Sequence, residues 1–437
     1  MNLIKKTYSF KRTIHVALFT VAIFFSAFIY NSYTGMIRSQ KILNNFKETA
    51  YFWDAMYDIE KQSDIDMSGD YSNQIDLLVA KEGIRDIETK SSINLMNYID
   101  DTCFATNDSI CNALIVSRLL RYETPGVAFD QLYALDFQIA LDELRYLKDR
   151  QNIEIMQPYY PEYNPFITTT YNHDVERIET IIHDYGRPYD YGLYTVWNLF
   201  ITKGMLFVIV VILFQSSMWI IHELKRKKSS LLMLNTISTS KVYAMHTFYA
   251  FKQSMVILGS SIAVFLIGTS IVGRLGSFDY PVTKYMKGTY PIDNVPIYFQ
   301  EYVKMFNVDY TFQFITLTAY LLRSIGLTVI LFLFSFAVIN LLNLCFKNQI
   351  KSIMSLCLVV FVSIQPQFFS LLNPFSYFDV NSIITQSYTI VRNYDSIHYT
   401  LGIGYLIVVT LGLHGLSYVL FHKLFVRRKH GNAPTHS

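Results

Sequence analysis

Six apolar stretches, each close to the length that crosses a bilayer, restrict this chain more than any of its other features. A helix needs about 20 mostly apolar residues to span the hydrocarbon core. Segments of that kind lie at 14–30 (IHVALFTVAIFFSAFIY), 197–221, 253–273, 324–344, 353–372 and 401–421. One such stretch suits a buried core helix, but six in 437 residues specify a polytopic membrane protein. Composition agrees, with 51% hydrophobic and 16% charged residues and a mean hydropathy of +0.25. The expected fold class is an all-α polytopic membrane protein. It has six transmembrane helices and a large, mostly helical extracytoplasmic domain between helices 1 and 2.

The cations set the expected orientation. Lys5, Lys6, Lys11 and Arg12 precede the first span. Lysine and arginine recur at 225–228, at Lys347 and Lys351, and at Lys423 with Arg427–Lys429. If all six spans cross, every cluster falls on one side, and cations favour the cytoplasmic side. The expectation is a multi-pass protein of the plasma membrane with both termini cytoplasmic. The first span could pass for a secretory signal, but NSYTGMIRSQ after it has no small-x-small cleavage site, so it reads as an uncleaved anchor.

This divides the chain into residues 1–30 (cytoplasmic N-terminus and first span), 31–196 (extracytoplasmic domain) and 197–437 (spans two to six). The domain has helical periodicity in NALIVSRLLRYE and FDQLYALDFQIALDELRYLKDR. Cys103 and Cys111 lie in it and could pair in an oxidising compartment, whereas Cys345 and Cys357 fall in or near apolar segments and read as small hydrophobes.

Catalytic and ligand signatures are scarce. The chain carries no G-x-x-x-x-G-K-[ST] phosphate loop, no H-E-x-x-H and no G-x-S-x-G. The sequences NHD (172–174) and HD (183–184) suit surface residues as well as ligands, and no zinc-ligand spacing occurs. A net charge of +3, without any array of basic and aromatic residues, argues against nucleic acid. The expected contacts are membrane lipid and other proteins, with no catalytic, cofactor or metal site in this chain.

Two stretches stand out. HELKRKKSSLLMLNTISTSKVY (222–243) follows the second span. Its apolar residues Leu231, Leu234, Ile237 and Val242 fall near one helical face, interrupted by residues suited to capping. On its own it reads as an interfacial amphipathic helix with a break. The second, QPQFFSLLNPFSYFDVNSII (365–384), holds Pro366 and Pro374, which disfavour a continuous helix. Gln365 and Gln367 are expected to face protein or water, because lipid leaves amides unsatisfied.

The first stretch resembles the loop after the second span in ABC-2 type permeases, the membrane subunits of many ATP-driven exporters. The matching positions are Glu223, Arg226, Leu231, Leu234, Thr236, Ile237, Ser238 and Lys241, within a coupling loop at 222–250. The family's turn proline and its glycine after the basic residues are replaced here by the Asn235–Ile237 stretch and by Ser229. The second stretch resembles the family's re-entrant region, here 365–398, through Gln365, Pro366, Gln367, Asn373, Pro374 and Tyr377. The resemblance implies a partner ABC ATPase that binds ATP and Mg, and a second permease in a homo- or heterodimer. The cargo would be an amphiphile such as a peptide, a drug or a lipid-like molecule. The alternative from another class is a sensor or mechanical transmitter that signals through its ectodomain. An integral membrane enzyme would need converging acidic, histidine or cysteine groups, and no such cluster is visible. His414, mid-span, is expected to face the bundle in an interhelical hydrogen bond or a translocation role. Lys203 and Arg323 are expected to snorkel to an interface.

Overall fold

The computed structural model describes residues 10–63, 189–217, 220–221, 238–288, 310–365, 368, 370, 372–387 and 399–431, with single positions between 77 and 153. Eight helices appear among them: α1 (Phe10–Ser63), α2 (Gly192–Ile201), α3 (Gly204–Ser216), α4 (Thr239–Ile271), α5 (Leu317–Phe346), α6 (Gln349–Ser363), α7 (Val380–Thr385) and α8 (Tyr399–Gly431). A short 3-10 helix occupies Pro374–Phe378, between α6 and α7. The all-α expectation needs one correction. Strands β1 (Pro281–Lys287) and β2 (Tyr310–Thr316) pair antiparallel, Pro281 opposite Thr316 and Lys287 opposite Tyr310. Both are rich in β-branched and aromatic residues, which suit a half-buried pleated surface.

Four helices are long and apolar enough to cross a membrane, or five if the bent pair α2–α3 is one span. The first expected span lies inside α1, a single helix that continues through Ser63 and is about 81 Å long at 1.5 Å per residue. The second is not continuous: α2 and α3 meet at an angle of 87°. The fifth, expected at 353–372, ends as a helix at Ser363, and α6 is only 15 residues long. Beyond it, the 3-10 helix at Pro374–Phe378 and α7 follow.

Contacts between named residues fix the helix directions. Thr13 meets Gln253, Ala17 meets Ser261 and Phe24 stacks on Phe265, so α1 and α4 run parallel. Ser216 at the end of α3 bonds Ser254, and Asn343 near the end of α5 donates to the Ser217 carbonyl. Ser417 of α8 donates to Ala337 of α5, which runs parallel to it. The N-termini of α3, α5 and α8 therefore lie at the end that carries the hairpin. The starts of α1, α4 and α6 lie at the opposite end.

The core follows what lipid demands. The solvent tails are as apolar as leucine, so helices associate by close packing and polar bonds rather than by the hydrophobic effect. A Cβ at Gly268 would stand 2.7 Å from the Phe25 ring, so this glycine lets α1 lie against α4. Helix α5 runs through the centre, with Leu327, Leu331, Phe332, Phe334, Phe336 and Ile339 fully buried. Three of its buried hydroxyls are satisfied within the helix: Ser324, Thr328 and Ser335 each donate to the carbonyl four residues back.

Candidate functional site

The corner between α2 and α3 is built from two residues. Thr202 closes α2 through its amide, which donates to the Asn198 carbonyl at 2.8 Å. Lys203 then takes a left-handed backbone, φ 62°, and Gly204 starts α3. A side chain at 204 would collide with Leu199, its Cβ 2.7 Å from Cδ2, so glycine permits the tight corner. A lysine in this conformation costs on the order of 1–2 kcal/mol relative to the right-handed region.

An ion pair spans the corner. Lys203 Nζ lies 3.4 Å from Oδ2 of Asp379, which is 2% exposed against 34% for the lysine side chain. The other carboxylate oxygen, Oδ1, accepts from the Ser382 amide at 3.2 Å and caps α7. The two interruptions in the apolar pattern, the bend in the second stretch and the break in the fifth, thus meet through opposite charges. Lys203 does more than snorkel to an interface. Arg323 is half-buried near Lys284, whose pKa is lowered by burial and then by the Arg323 charge.

Beside the pair, α2 is packed on nearly every side. Its first amides are satisfied by the chain after α4: Gly192 donates to Arg274 at 2.8 Å and Leu193 to Leu275 at 2.9 Å. Trp197, fully buried, stands among Tyr189 (5.4 Å), Tyr280 (5.9 Å) and Tyr320 (6.2 Å). Two of the tyrosine hydroxyls reach beyond this stack. Tyr320 donates to Asn381 of α7 at 2.8 Å, and Tyr280 donates to Glu143 at 3.2 Å. Glu143, 1% exposed, belongs to the 31–196 region, so that region is fastened to the hairpin end of the bundle.

The re-entrant residues fall next to this layer. Asn373 Oδ1 accepts from the Phe375 amide at 3.1 Å and caps the 3-10 helix, with Pro374 at its first position. Tyr377 is buried against α8, where a Cβ at Gly402 would meet its ring at 2.7 Å. Gln365 turns its amide back to the Phe361 carbonyl at 3.3 Å. Pro366 and Gln367 lie outside the described residues.

At the opposite end, Ser238 caps α4 by accepting from the Lys241 amide at 3.4 Å, and Lys241 is exposed in the first turn. Val242 is buried inside the bundle and so does not belong to an outward apolar face. Glu223, Arg226, Leu231, Leu234, Thr236 and Ile237 lie outside the described residues, as do Cys103 and Cys111. His414 makes the expected interhelical bond: its Nδ1 is 3.1 Å from the Tyr243 hydroxyl of α4. One turn-pair further along, His422 Nδ1 is 2.8 Å from Thr239 Oγ1. Among the described residues, no three histidine, cysteine or acidic side chains are grouped to hold a metal ion.

Sequence reasoning missed Asp379, Asn381, Tyr320 and Glu143. The signal for the first was present in part, because Lys203 is a charge set into the second apolar stretch and Asp379 is the acidic residue of the 365–384 stretch. A charge inside such a stretch calls for a named partner.

Together these elements define a predominantly helical chain with several helices apolar enough for a membrane, capped at one end by a hairpin and two broken segments. No protein-family model, no curated protein and no solved structure matches this chain.

Proposed function

We propose that the chain is the membrane subunit of an ATP-driven exporter. It crosses the plasma membrane several times with both ends cytoplasmic and moves an amphiphilic cargo outward. The observation that carries the reading is the alternation of helix directions. It gathers the chain ends of the bundle, the start of α4 after the 222–237 loop, and the cations Lys241, Lys347 and Lys351 at one end. The hairpin end also bears Lys203, Lys284 and Arg323, but the opposite end adds Lys423 and Arg427–Lys429 of α8, and the larger cation cluster favours that end as cytoplasmic. The coupling loop then faces a partner ATPase that binds ATP and Mg. A second permease subunit completes the path, and the two broken spans stand where cargo would leave.

The test is purification of the tagged chain from its native membrane in mild detergent, with mass spectrometry of what accompanies it. A stoichiometric ATPase subunit, lost on Leu234→Asp or Ile237→Asp, supports the reading, since either change sets an unpaired charge in a docked apolar contact. A chain that arrives alone overturns it.

One observation favours the sensor reading instead. The Glu143–Tyr280 bond joins the 31–196 region to the same aromatic stack that holds α2. A ligand that reorganised that region would act directly on the bend.

A further inference from the structure

The second apolar stretch has no residue that forces a bend. No proline lies between 192 and 216, and the run is mostly apolar, with Lys203 its single charge. Rotation at two adjacent residues, Lys203 from the left-handed to the right-handed region and Thr202 from ψ 1° to a helical value, would join α2 and α3 into one helix from 192 to 216. That helix would be about 38 Å long, enough to cross a bilayer by itself. Locally the corner is closed by the Lys203 amide, which donates to the Phe200 carbonyl at 3.3 Å. The contacts that fasten the bent form to the rest of the bundle include the Lys203–Asp379 ion pair, the two amide bonds to residues 274 and 275, the Asn198–Asn31 bond and the aromatic pocket of Trp197.

We infer that α2–α3 is a two-state element whose bent form is latched by Lys203 and Asp379. In its straight form α2 withdraws from the layer between the hairpin, α4, α5 and α7, and opens that end of the bundle. A single left-handed residue has two discrete arrangements and no stable intermediate, which is what a switch requires. The bent form pays backbone strain at Lys203, so the balance depends on the pair that compensates it. The inference concerns this chain alone and does not depend on the exporter reading.

Trp197 reports the state. The chain has three tryptophans, and Trp53→Phe with Trp219→Phe leaves Trp197 alone. The full chain in lipid nanodiscs is titrated with acrylamide, and amide exchange of the peptide covering 192–201 is followed in parallel. In the starting protein Trp197 resists quenching. Asp379→Asn and Lys203→Ala each raise the quenching constant by roughly twofold or more, while exchange in 192–201 stays slow because the segment remains helical. Lys203→Gly removes the ion pair but accepts the left-handed backbone without strain, so its quenching lies between the starting protein and Lys203→Ala. Unchanged quenching in Asp379→Asn and Lys203→Ala overturns the latch. Raised quenching with fast exchange in 192–201 also overturns it, because α2 is then melting rather than straightening. Lys203→Gly quenched as strongly as Lys203→Ala overturns the part assigned to backbone strain.

Discussion

Lys203 and Asp379 lie 176 positions apart in the chain, yet their charged atoms are 3.4 Å apart, one at a helix corner and the other at a helix cap. The pair is asymmetric. Asp379 is almost wholly buried and Lys203 is a third exposed, so removal of either partner has a different consequence.

Lys203→Met leaves a buried carboxylate without its counter-charge, which costs about 3 kcal/mol at the low end of the range for broken buried pairs. Asp379→Asn leaves a lysine that can reach a polar boundary by its flexible stem, and asparagine still accepts from the Ser382 amide. Thermal melts in one detergent should therefore rank Lys203→Met as the more destabilised. The reverse order would mean that the pair is not the main support of Asp379.

At the α1–α4 contact, Gly268→Ala puts a methyl 2.7 Å from the Phe25 ring. Overpacking of this kind costs about 1–3 kcal/mol. Phe25→Leu removes the far ring atoms, so the double variant should lose less stability than the two single variants summed. Strict additivity in a melting series would place the glycine away from α1.

The Tyr243–His414 bond joins α4 to α8 at 3.1 Å. A double-mutant cycle with Tyr243→Phe and His414→Phe should return a coupling of about 0.6 kcal/mol, the usual size for such bonds within membranes. A coupling indistinguishable from zero would assign these residues to packing alone.

Lys284 of β1 carries a pKa below its ordinary 10.5, through burial first and the Arg323 charge second. Its charged form therefore opposes folding in full below the folded-state pKa, and the opposition fades as pH rises through that value towards 10.5. Lys284→Met should melt higher than the unmodified chain at neutral pH, with the advantage shrinking as the buffer becomes alkaline. An advantage that grows with pH would reverse the sign of the shift.

A labelling experiment addresses orientation. Ser240 is exposed in the first turn of α4 and leaves the Ser238 cap in place. In a background without the four native cysteines, Ser240→Cys should react with a membrane-impermeant maleimide only after the cells are opened. Reaction in intact cells would invert the proposed topology.

What could be read along the chain was the set of long apolar runs. The runs at 14–30, 324–344 and 401–421 fall inside long helices, and 253–273 does so up to Ile271, because about twenty apolar residues satisfy their own backbone only as a helix in lipid. The capping role of the serine and threonine run before α4 was legible too, since Ser238 needs only its neighbours to cap. The prolines and asparagine of the fifth stretch foretold its break, and Asn373 caps the turn that follows.

The rest depended on partners distant in sequence. Gly204 permits a corner in 192–216 but does not require one. The corner is held because Asp379, the carbonyls of Arg274 and Leu275 that accept from Gly192 and Leu193, and the ring pocket of Trp197 outweigh the strain of a left-handed lysine. The hairpin was missed because β1 and β2 are seven-residue strands separated by a long connection, and short paired runs carry weak local signals. Sequence by itself determined which segments are helical and apolar, since hydropathy and backbone satisfaction are local matters. Only the tertiary structure decided which of them bend and which charges meet, because those outcomes balance local strain against contacts made across the whole bundle.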